Sequence, residues 1–193
     1  MLVPLFGGLA AFGFGEGLLV QSQWGASPWT VFAEGIAKHA QISLGWATAL
    51  ISAAVLLGWT ALRQRPGFGT VSNVIVIAYV LDLTIYWVGA PHEVWLKVVY
   101  VLGAVLSIGI GSAFYLTCNL GPGPRDGLMT GLHRRLNLSI VYIRLSIEAV
   151  VLTIGWLLGG NPGLATAFFA ASIGFSIGAS LNVMERTVNW WRA

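Results

Sequence analysis

Four ionisable side chains lie within long apolar stretches of this sequence: Glu16, Asp82, Arg144 and Glu148. Holding one ionised group at the centre of a lipid bilayer costs roughly 2.5–3.5 kcal/mol on insertion scales, so such residues commonly line a route for a solute, an ion or a proton. Arg144 and Glu148 are spaced i, i+4, which places them on one face of a helix, where they can pair. We predict that these four side chains are substrate or pathway residues.

A structural role also accounts for the same residues. Arg144 falls about one turn inside its apolar stretch, so its long side chain can extend to the lipid headgroups, with Glu148 present to neutralise it. Glu16 and Asp82 then act as buried acids that are neutral or hydrogen-bonded. Both interpretations stay open at the level of the sequence.

Two short segments, residues 28–39 and 124–136, have a Gly-x-x-Pro start and too few residues to cross a bilayer. Proline is tolerated in the first turn of a helix, because its missing N–H would have no partner there. Each segment therefore predicts a short helix that either dips into the membrane as a half-helix or lies flat at the interface. The residues that set the two starts are Gly25, Pro28, Gly121 and Pro124.

Arg125 and Asp126 follow directly after the second of these starts. The start of a half-helix offers N–H groups and the positive end of the helix dipole to an anion, and Arg125 adds a guanidinium. We predict Arg125 and Asp126 as further substrate or pathway residues; alternatively, the two satisfy each other in a turn that only packs the loop. The charge of the substrate stays open, since Arg125 favours an anion whereas the acids favour a cation or a coupled proton.

Residue patterns for catalysis or metal binding are missing from this chain. It has no His-Glu-x-x-His or Gly-x-Ser-x-Gly motif, and its one cysteine, Cys118, rules out an intrachain disulfide and a multi-cysteine metal site. The histidines, in predicted loops, have no metal-ligand spacing: His39, His92 and His133. We therefore predict that the protein is not an enzyme and has no catalytic residue, cofactor, metal site or nucleic-acid partner.

The composition identifies the surroundings of these residues as a membrane. Charged residues make up 9% of the chain and apolar residues 56%, whereas soluble domains carry about 25% charge. Six apolar stretches approach the ~20 residues that a helix needs to cross ~30 Å of hydrocarbon. The fold class we predict is an all-α polytopic membrane protein, with transmembrane helices at residues 2–20, 43–62, 71–88, 96–116, 140–158 and 164–183. We expect the first to be a retained span, since it lacks the basic start of a signal peptide.

The second half of the chain repeats the first half with a shift of 96 residues and no gap. Gly25-Ala26-Ser27-Pro28 falls on Gly121-Pro122-Gly123-Pro124, and the Pro-Gly turn at Pro66 falls on the one at Pro162. We predict one membrane domain, residues 1–193, built from the repeats 9–88 and 105–184. Three spans per repeat is an odd number, so the second repeat must enter the bilayer from the opposite side, as a 3+3 inverted repeat.

The distribution of basic residues gives the orientation. With both termini in the cytoplasm, the outer segments carry only Lys38 and Lys97, in agreement with the positive-inside rule. The predicted location is the bacterial cytoplasmic (inner) membrane, multi-pass, with cytoplasmic N- and C-termini. The arginines predicted to lie on the inner side are Arg63, Arg65, Arg125, Arg134, Arg135, Arg186 and Arg192.

The segment Gly-Pro-Gly-Pro-Arg-Asp-Gly-Leu-Met, residues 121–129, together with the paired Gly-x-x-Pro and Pro-Gly turns, resembles the YczE/YitT group of bacterial inner-membrane proteins. The resemblance spans nearly the whole chain, although the first loop has Trp29-Thr30 where related proteins often carry Trp-Asp. It implies a polytopic membrane protein and carries over no catalytic or binding residue.

The sequence as a whole favours a small-solute transporter or permeation protein of unidentified substrate. The alternative is a membrane-embedded partner or regulatory subunit without transport activity, such as a substrate-binding subunit of a larger transport complex. The expected partners are the lipid bilayer, a small polar or charged solute, and either further copies of the chain or another membrane protein.

Overall fold

The computed structural model describes residues 1–192, with side chains described as far as Met184. Arg186 and Arg192, two of the arginines used to predict the orientation, lie outside the described side chains. Over residues 1–192 all regular secondary structure is helical, which confirms the all-α prediction. The helices are α1 (Leu2–Gln21), α2 (Pro28–Ala40), α3 (Leu44–Ala61), α4 (Phe68–Trp87), α5 (Val94–Thr117), α6 (Pro124–Leu136), α7 (Ile140–Leu157) and α8 (Leu164–Arg192).

Six of these helices are long and apolar enough to cross a membrane: α1, α3, α4, α5, α7 and the segment Leu164–Met184 of α8. Each agrees with one of the six spans predicted from the sequence. The outward faces are apolar, as contact with lipid requires; Val3, Leu57 and Phe175, for example, are each more than 70% exposed. The remaining helices, α2 and α6, have 13 residues each.

The two short helices begin and end on matching local signals. Pro28 and Pro124 occupy the first turn of α2 and α6. Gln41 and Asn137 end them in the left-handed conformation, with φ of 54° and 55°, which satisfies the last carbonyl groups of a helix. The bounds of α2 and α3 and the start of α4 all recur 96 residues later, in α6, α7 and α8.

Helices α1 and α5 pack against each other at the centre of the molecule, with glycines at the crossing. A Cβ added to Gly8 would lie 2.7 Å from the carbonyl oxygen of Gly111, so the two backbones touch where no side chain separates them. Ser107 Oγ donates a hydrogen bond of 2.8 Å to the carbonyl of Ala11 across the same crossing. Around this pair, α4 packs on α1, α8 on α5, α2 on α7 and α3 on α6.

Candidate functional site

A cavity of about 120 Å³ lies among the eight helices, next to the α1–α5 pair. Because a cavity of only ~10–15 Å³ can hold one water, this cavity can accept several waters or one small solute. Most of its wall consists of residues that occur in pairs 96 positions apart: Phe12/Ile108, Glu16/Ser112, Ser27/Gly123, Pro28/Pro124, Trp29/Arg125, Thr48/Arg144, Ser52/Glu148, Asn73/Phe169 and Ile77/Ile173. The cavity is therefore built by equivalent positions of the two halves.

Glu16 of α1 is a carboxylate in this wall and is only 2% exposed. Ser27 Oγ donates to it at 2.9 Å and Thr30 Oγ1 at 2.7 Å, so hydroxyl groups from the start of α2 replace the water that burial removed. Arg125 Nη1 lies 3.8 Å from Glu16 Oε1. One acid thus connects α1 to the starts of both short helices.

Arg125 projects into the cavity from the first turn of α6. Its guanidinium carbon lies 5.1 Å from the centre of the Trp29 ring, in a cation–π contact. The contact with Glu16 is longer than a hydrogen bond, and Arg125 donates no hydrogen bond within the part of the chain whose side chains are described. A guanidinium has five N–H donors, so this side chain can bind an acceptor that enters the cavity.

Asp126, the next residue, also lines the cavity and is bonded by a tyrosine. The hydroxyl of Tyr115, on α5, donates to Asp126 Oδ2. Tyr115 is 2% exposed and was not predicted from the sequence, because an aromatic residue inside an apolar span reads as ordinary core. Its phenol hydroxyl, which needs a partner when buried, was the signal that could have found it.

Arg144 and Glu148 form the ion pair expected from their spacing on α7. Arg144 Nε donates to Glu148 Oε1 at 2.8 Å, and the two side chains are 35% and 14% exposed. Both line the cavity, and the equivalent residues of the first half, the uncharged Thr48 and Ser52, line it as well. The structure therefore brings five of the six predicted charged residues to one cavity: Glu16, Arg125, Asp126, Arg144 and Glu148.

Asp82 is the sixth, and it lies elsewhere. Its carboxylate accepts hydrogen bonds from Ser43 Oγ and from the backbone N–H of Gly45, the latter at 2.7 Å. These groups form the start of α3, so Asp82 helps to cap that helix. It borders an apolar groove between α3 and α4, outside the central cavity.

The predicted start residues of the short helices sit at and beside the cavity wall. Pro28 and Pro124 line it. Gly25 and Gly121 have φ of 112° and 114°, a conformation that favours glycine. A Cβ on Gly25 would also lie 2.5 Å from the backbone nitrogen of Gly163. These turns let both short helices point their first turns, and hence the positive ends of their dipoles, at the same space.

Two buried donors on cavity-wall residues have no partner. They are the indole Nε1–H of Trp29 and the hydroxyl of Thr48, in side chains that are 6% and 4% exposed. Leaving a buried polar group unpaired costs about 1–3 kcal/mol. Both unpaired groups belong to residues of the cavity wall, which indicates that this region is not optimised for stability alone. Within the described residues, no three His, Cys, Asp or Glu side chains come together as metal ligands would.

Comparisons with known proteins agree with the membrane character of the fold. Residues 2–182 match a family described as "Family of unknown function (DUF6198)". An "Uncharacterized protein" of Haemophilus influenzae is 45% identical over 178 residues, which cover 92% of this chain and 82% of that protein. The "Uncharacterized membrane protein YczE" of Bacillus subtilis is 30% identical over 190 residues, covering 96% and 87%. No solved structure matches. The predicted resemblance to the YczE group is confirmed.

Proposed function

The chain belongs to the family of unknown function DUF6198, and from that premise we propose that this membrane protein carries a small polar solute across the bilayer through its central cavity. The observation that carries the proposal is the cavity wall, built from equivalent positions of the two halves and holding Glu16, Arg125, Asp126, Arg144 and Glu148. A polar space on the axis between two repeats is where secondary transporters bind their substrates. No covalent step is part of this function.

In the proposed arrangement the two halves form a 3+3 inverted repeat in the bacterial inner membrane, with both termini in the cytoplasm. The matching bounds of α2, α3 and α4 with α6, α7 and α8 support a repeat. Since each repeat holds three spans, the second begins on the opposite side of the membrane. The arginines of the α3–α4 loop, Arg63 and Arg65, then lie inside, as the positive-inside rule expects.

Helices α2 and α6 act as re-entrant half-helices in this proposal. Thirteen residues span only about 20 Å at ~1.5 Å per residue, less than the ~30 Å of hydrocarbon. Their first turns lie at the cavity, and their last turns contact the C-terminal ends of α7 and α3 in the opposite half: Lys38 Nζ donates to the carbonyl of Gly159, just after α7, and Arg135 Nη1 to that of Ala61, the last residue of α3. Such paired, interrupted helices are typical of substrate sites in transporters.

The test uses cysteine as a reversible plug. In a Cys118→Ala background, Ser52→Cys places a thiol of nearly unchanged size in the cavity wall, and Ser72→Cys places one in a buried position of α4 outside the wall. Purified variants in liposomes are screened for entry of amino acids, organic acids, amines, sugars and inorganic ions. We expect at least one solute to enter faster than in protein-free liposomes. A charged thiol reagent should stop this flux in Ser52→Cys, and reduction should restore it.

Flux that the reagent stops equally in Ser72→Cys and Ser52→Cys would contradict a route through the cavity. The absence of flux for every solute, with folded protein in the liposomes, would contradict transport itself. A second membrane protein that copurifies stoichiometrically in mild detergent would then identify the alternative, a partner subunit without transport activity.

A further inference from the structure

The charges in the cavity wall do not balance. Three acids and two bases line it, and they are Glu16, Asp126, Glu148, Arg125 and Arg144. Glu16 faces Arg125 and Glu148 is bonded to Arg144, so these four side chains neutralise one another. Asp126 forms no ion pair among the described side chains, and its hydrogen-bond partner is the neutral hydroxyl of Tyr115; the charges of Arg125 and Arg144 act on it only from beyond ion-pair distance. An unpaired charge away from water is costly, so a positive group bound beside Asp126 would be stabilising.

Several hydrogen-bond donors of the wall residues lack an acceptor. Arg125 makes no hydrogen bond among the described side chains, and Trp29 Nε1–H and the Thr48 hydroxyl are buried without a partner. A guanidinium can only donate, so an occupant that bonds to Arg125 must bring acceptor atoms. Carboxylate is the group that the planar fork of a guanidinium matches best, with two parallel N–H···O bonds.

A lone anion meets one of these needs but worsens the other. With all five side chains ionised, the wall carries one net negative charge, and a carboxylate alone adds a second, whereas phosphate or sulfate adds up to two more. A lone cation suits Asp126 but leaves the N–H groups of Arg125 without an acceptor. A molecule with one carboxylate and one ammonium group meets both needs and leaves the net charge unchanged.

We propose that the cavity binds a small zwitterion of the amino-acid class, its carboxylate bonded to Arg125 and its ammonium group to Asp126. The inference rests on the proposed function, since it names the class of solute that the cavity carries. The volume of about 120 Å³ limits the solute to a small one. Apolar wall residues such as Ile108 and Ile173 favour a short aliphatic side chain over a charged one.

The test compares solutes that differ by one group. Alanine, propionate and ethylamine share a small carbon skeleton and carry both charged groups, only the carboxylate, or only the ammonium group; inorganic phosphate serves as the multivalent anion. Binding to the purified protein in detergent is measured by the shift in its thermal unfolding temperature and by calorimetry. We expect alanine to bind and each single-group analogue to bind at least about tenfold more weakly, the effect of ~1.4 kcal/mol.

Conservative variants then assign the two groups. Arg125→Lys keeps the charge but loses the fork, and Asp126→Asn keeps the shape but loses the charge. Each should weaken alanine binding by about tenfold or more, because Arg125→Lys loses the two parallel N–H···O bonds and Asp126→Asn loses the charge that pairs with the ammonium group. Asp126→Asn should also reduce the preference for alanine over propionate. Arg65→Lys and Glu93→Gln, in exposed loop positions, are the matched controls and should leave alanine binding unchanged.

Propionate or phosphate binding as tightly as alanine would overturn the proposal, and so would alanine binding that both variants leave intact. Failure of alanine to bind a protein that unfolds at its usual temperature would overturn it as well. The proposed function is judged separately, because the liposome screen registers entry of any solute. Flux of an inorganic ion or a sugar but not of amino acids would keep transport and reject the zwitterion.

Discussion

At the scale of single residues, the buried acids of this protein differ in how they are satisfied. Glu16 accepts hydrogen bonds from Ser27 and Thr30 and faces Arg125. Glu148, in contrast, has Arg144 as the partner that the structure gives it. A carboxylate with several independent donors tolerates the loss of one better than a carboxylate with a single donor. The Arg144–Glu148 pair is therefore the place where one substitution has the clearest consequence.

We expect Arg144→Gln and Glu148→Gln each to lower the free energy of unfolding by about 1–3 kcal/mol, between the values for exposed and fully buried pairs. Each single variant leaves one charge unpaired in the cavity wall, whereas the double variant removes both charges. The double variant should therefore be more stable than the sum of the single losses predicts. Thermal and chemical unfolding in one detergent gives the coupling as a double-mutant cycle.

The equivalent positions of the other half provide the control for this pair. Thr48 and Ser52 lie 96 residues earlier on α3, at the same cavity, but form no ion pair. Thr48→Val and Ser52→Ala should therefore show additive effects. Additive losses at Arg144 and Glu148 too would mean that the two side chains do not stabilise each other, and the pairing would have no energetic role.

The position of Asp82 around α4 explains why it lies away from the cavity that the other five predicted charged residues line. A polar residue in an apolar span indicates that a polar contact exists but not which side of the helix carries it. On α4, Asn73 and Ile77 face the cavity; five further residues at ~100° each put Asp82 about 140° around the helix from Ile77. That face meets the start of α3, where Ser43 and Gly45 bind the carboxylate.

At the scale of helices, the two halves fill equivalent contacts with large and small residues exchanged. Trp59 of α3 packs on Gly127 of α6 and donates from Nε1 to the carbonyl of Pro124 at 3.0 Å. The residue equivalent to Trp59 is Gly155 of α7, and the residue equivalent to Gly127 is Val31 of α2. In the α2–α7 contact the glycine therefore lies on the long helix and not on the short one. A Cβ on Gly155 would lie 2.6 Å from Phe32 Cα, so α2 and α7 approach each other backbone to backbone.

We expect Gly155→Ala to lower the free energy of unfolding by about 1–3 kcal/mol, the usual cost of overpacking. The new methyl group meets backbone atoms of α2, which cannot rotate out of its way. Gly127→Ala should cost a similar amount, because its Cβ would lie 2.0 Å from Cζ2 of the enclosed Trp59 ring. Thermal unfolding in a single detergent compares these variants with the parent protein.

Gly58→Ala is the matched control, since nothing lies within 4 Å of a Cβ at this position in α3. Alanine there should be neutral or stabilise the protein by ~0.5–1 kcal/mol, because it favours the helix. Should Gly155→Ala behave like Gly58→Ala, the close approach of α2 and α7 would be absent in the folded protein.

The ends of the short helices show what the sequence could not predict at this scale. The Gly-x-x-Pro starts and the lengths of α2 and α6 were readable from local signals, because proline and glycine restrict the backbone at their own positions. The contacts made by the C-terminal parts of these helices depend on residues far away in the sequence. In α2, for example, the Glu34 carboxylate accepts a hydrogen bond from the backbone N–H of Asn161 at 2.8 Å. Burial raises the pKa of the Glu34 carboxyl, and this hydrogen bond and Lys38 partly oppose the rise.

At the scale of the whole molecule, the halves hold each other through exchanged backbone hydrogen bonds. The N–H of Gly69, at the start of α4, donates to the carbonyl of Leu120 before α6 at 2.7 Å; the N–H of Ala165, at the start of α8, donates to that of Trp24 before α2 at 2.9 Å. Both bonds relate by the same shift of 96 residues. The correspondence of the two halves was visible in the sequence because glycine and proline mark these turns. The hydrogen bonds from each half to the other could not be predicted, because they depend on long-range packing.

The proposed inverted arrangement predicts on which side of the membrane the α3–α4 and α7–α8 loops lie. In a Cys118→Ala background, Arg65→Cys marks the α3–α4 loop and Asn161→Cys the equivalent α7–α8 loop, both exposed positions. Since three spans separate them, an impermeant maleimide added to intact cells should label Asn161→Cys alone, and Arg65→Cys only after the membrane is opened. Glu93→Cys, in the α4–α5 loop, is the positional control and should label like Asn161→Cys. Labelling of Arg65→Cys and Asn161→Cys from one common side would remove the axis in the membrane plane, and a cavity shared by two inverted halves could not then open alternately to each side.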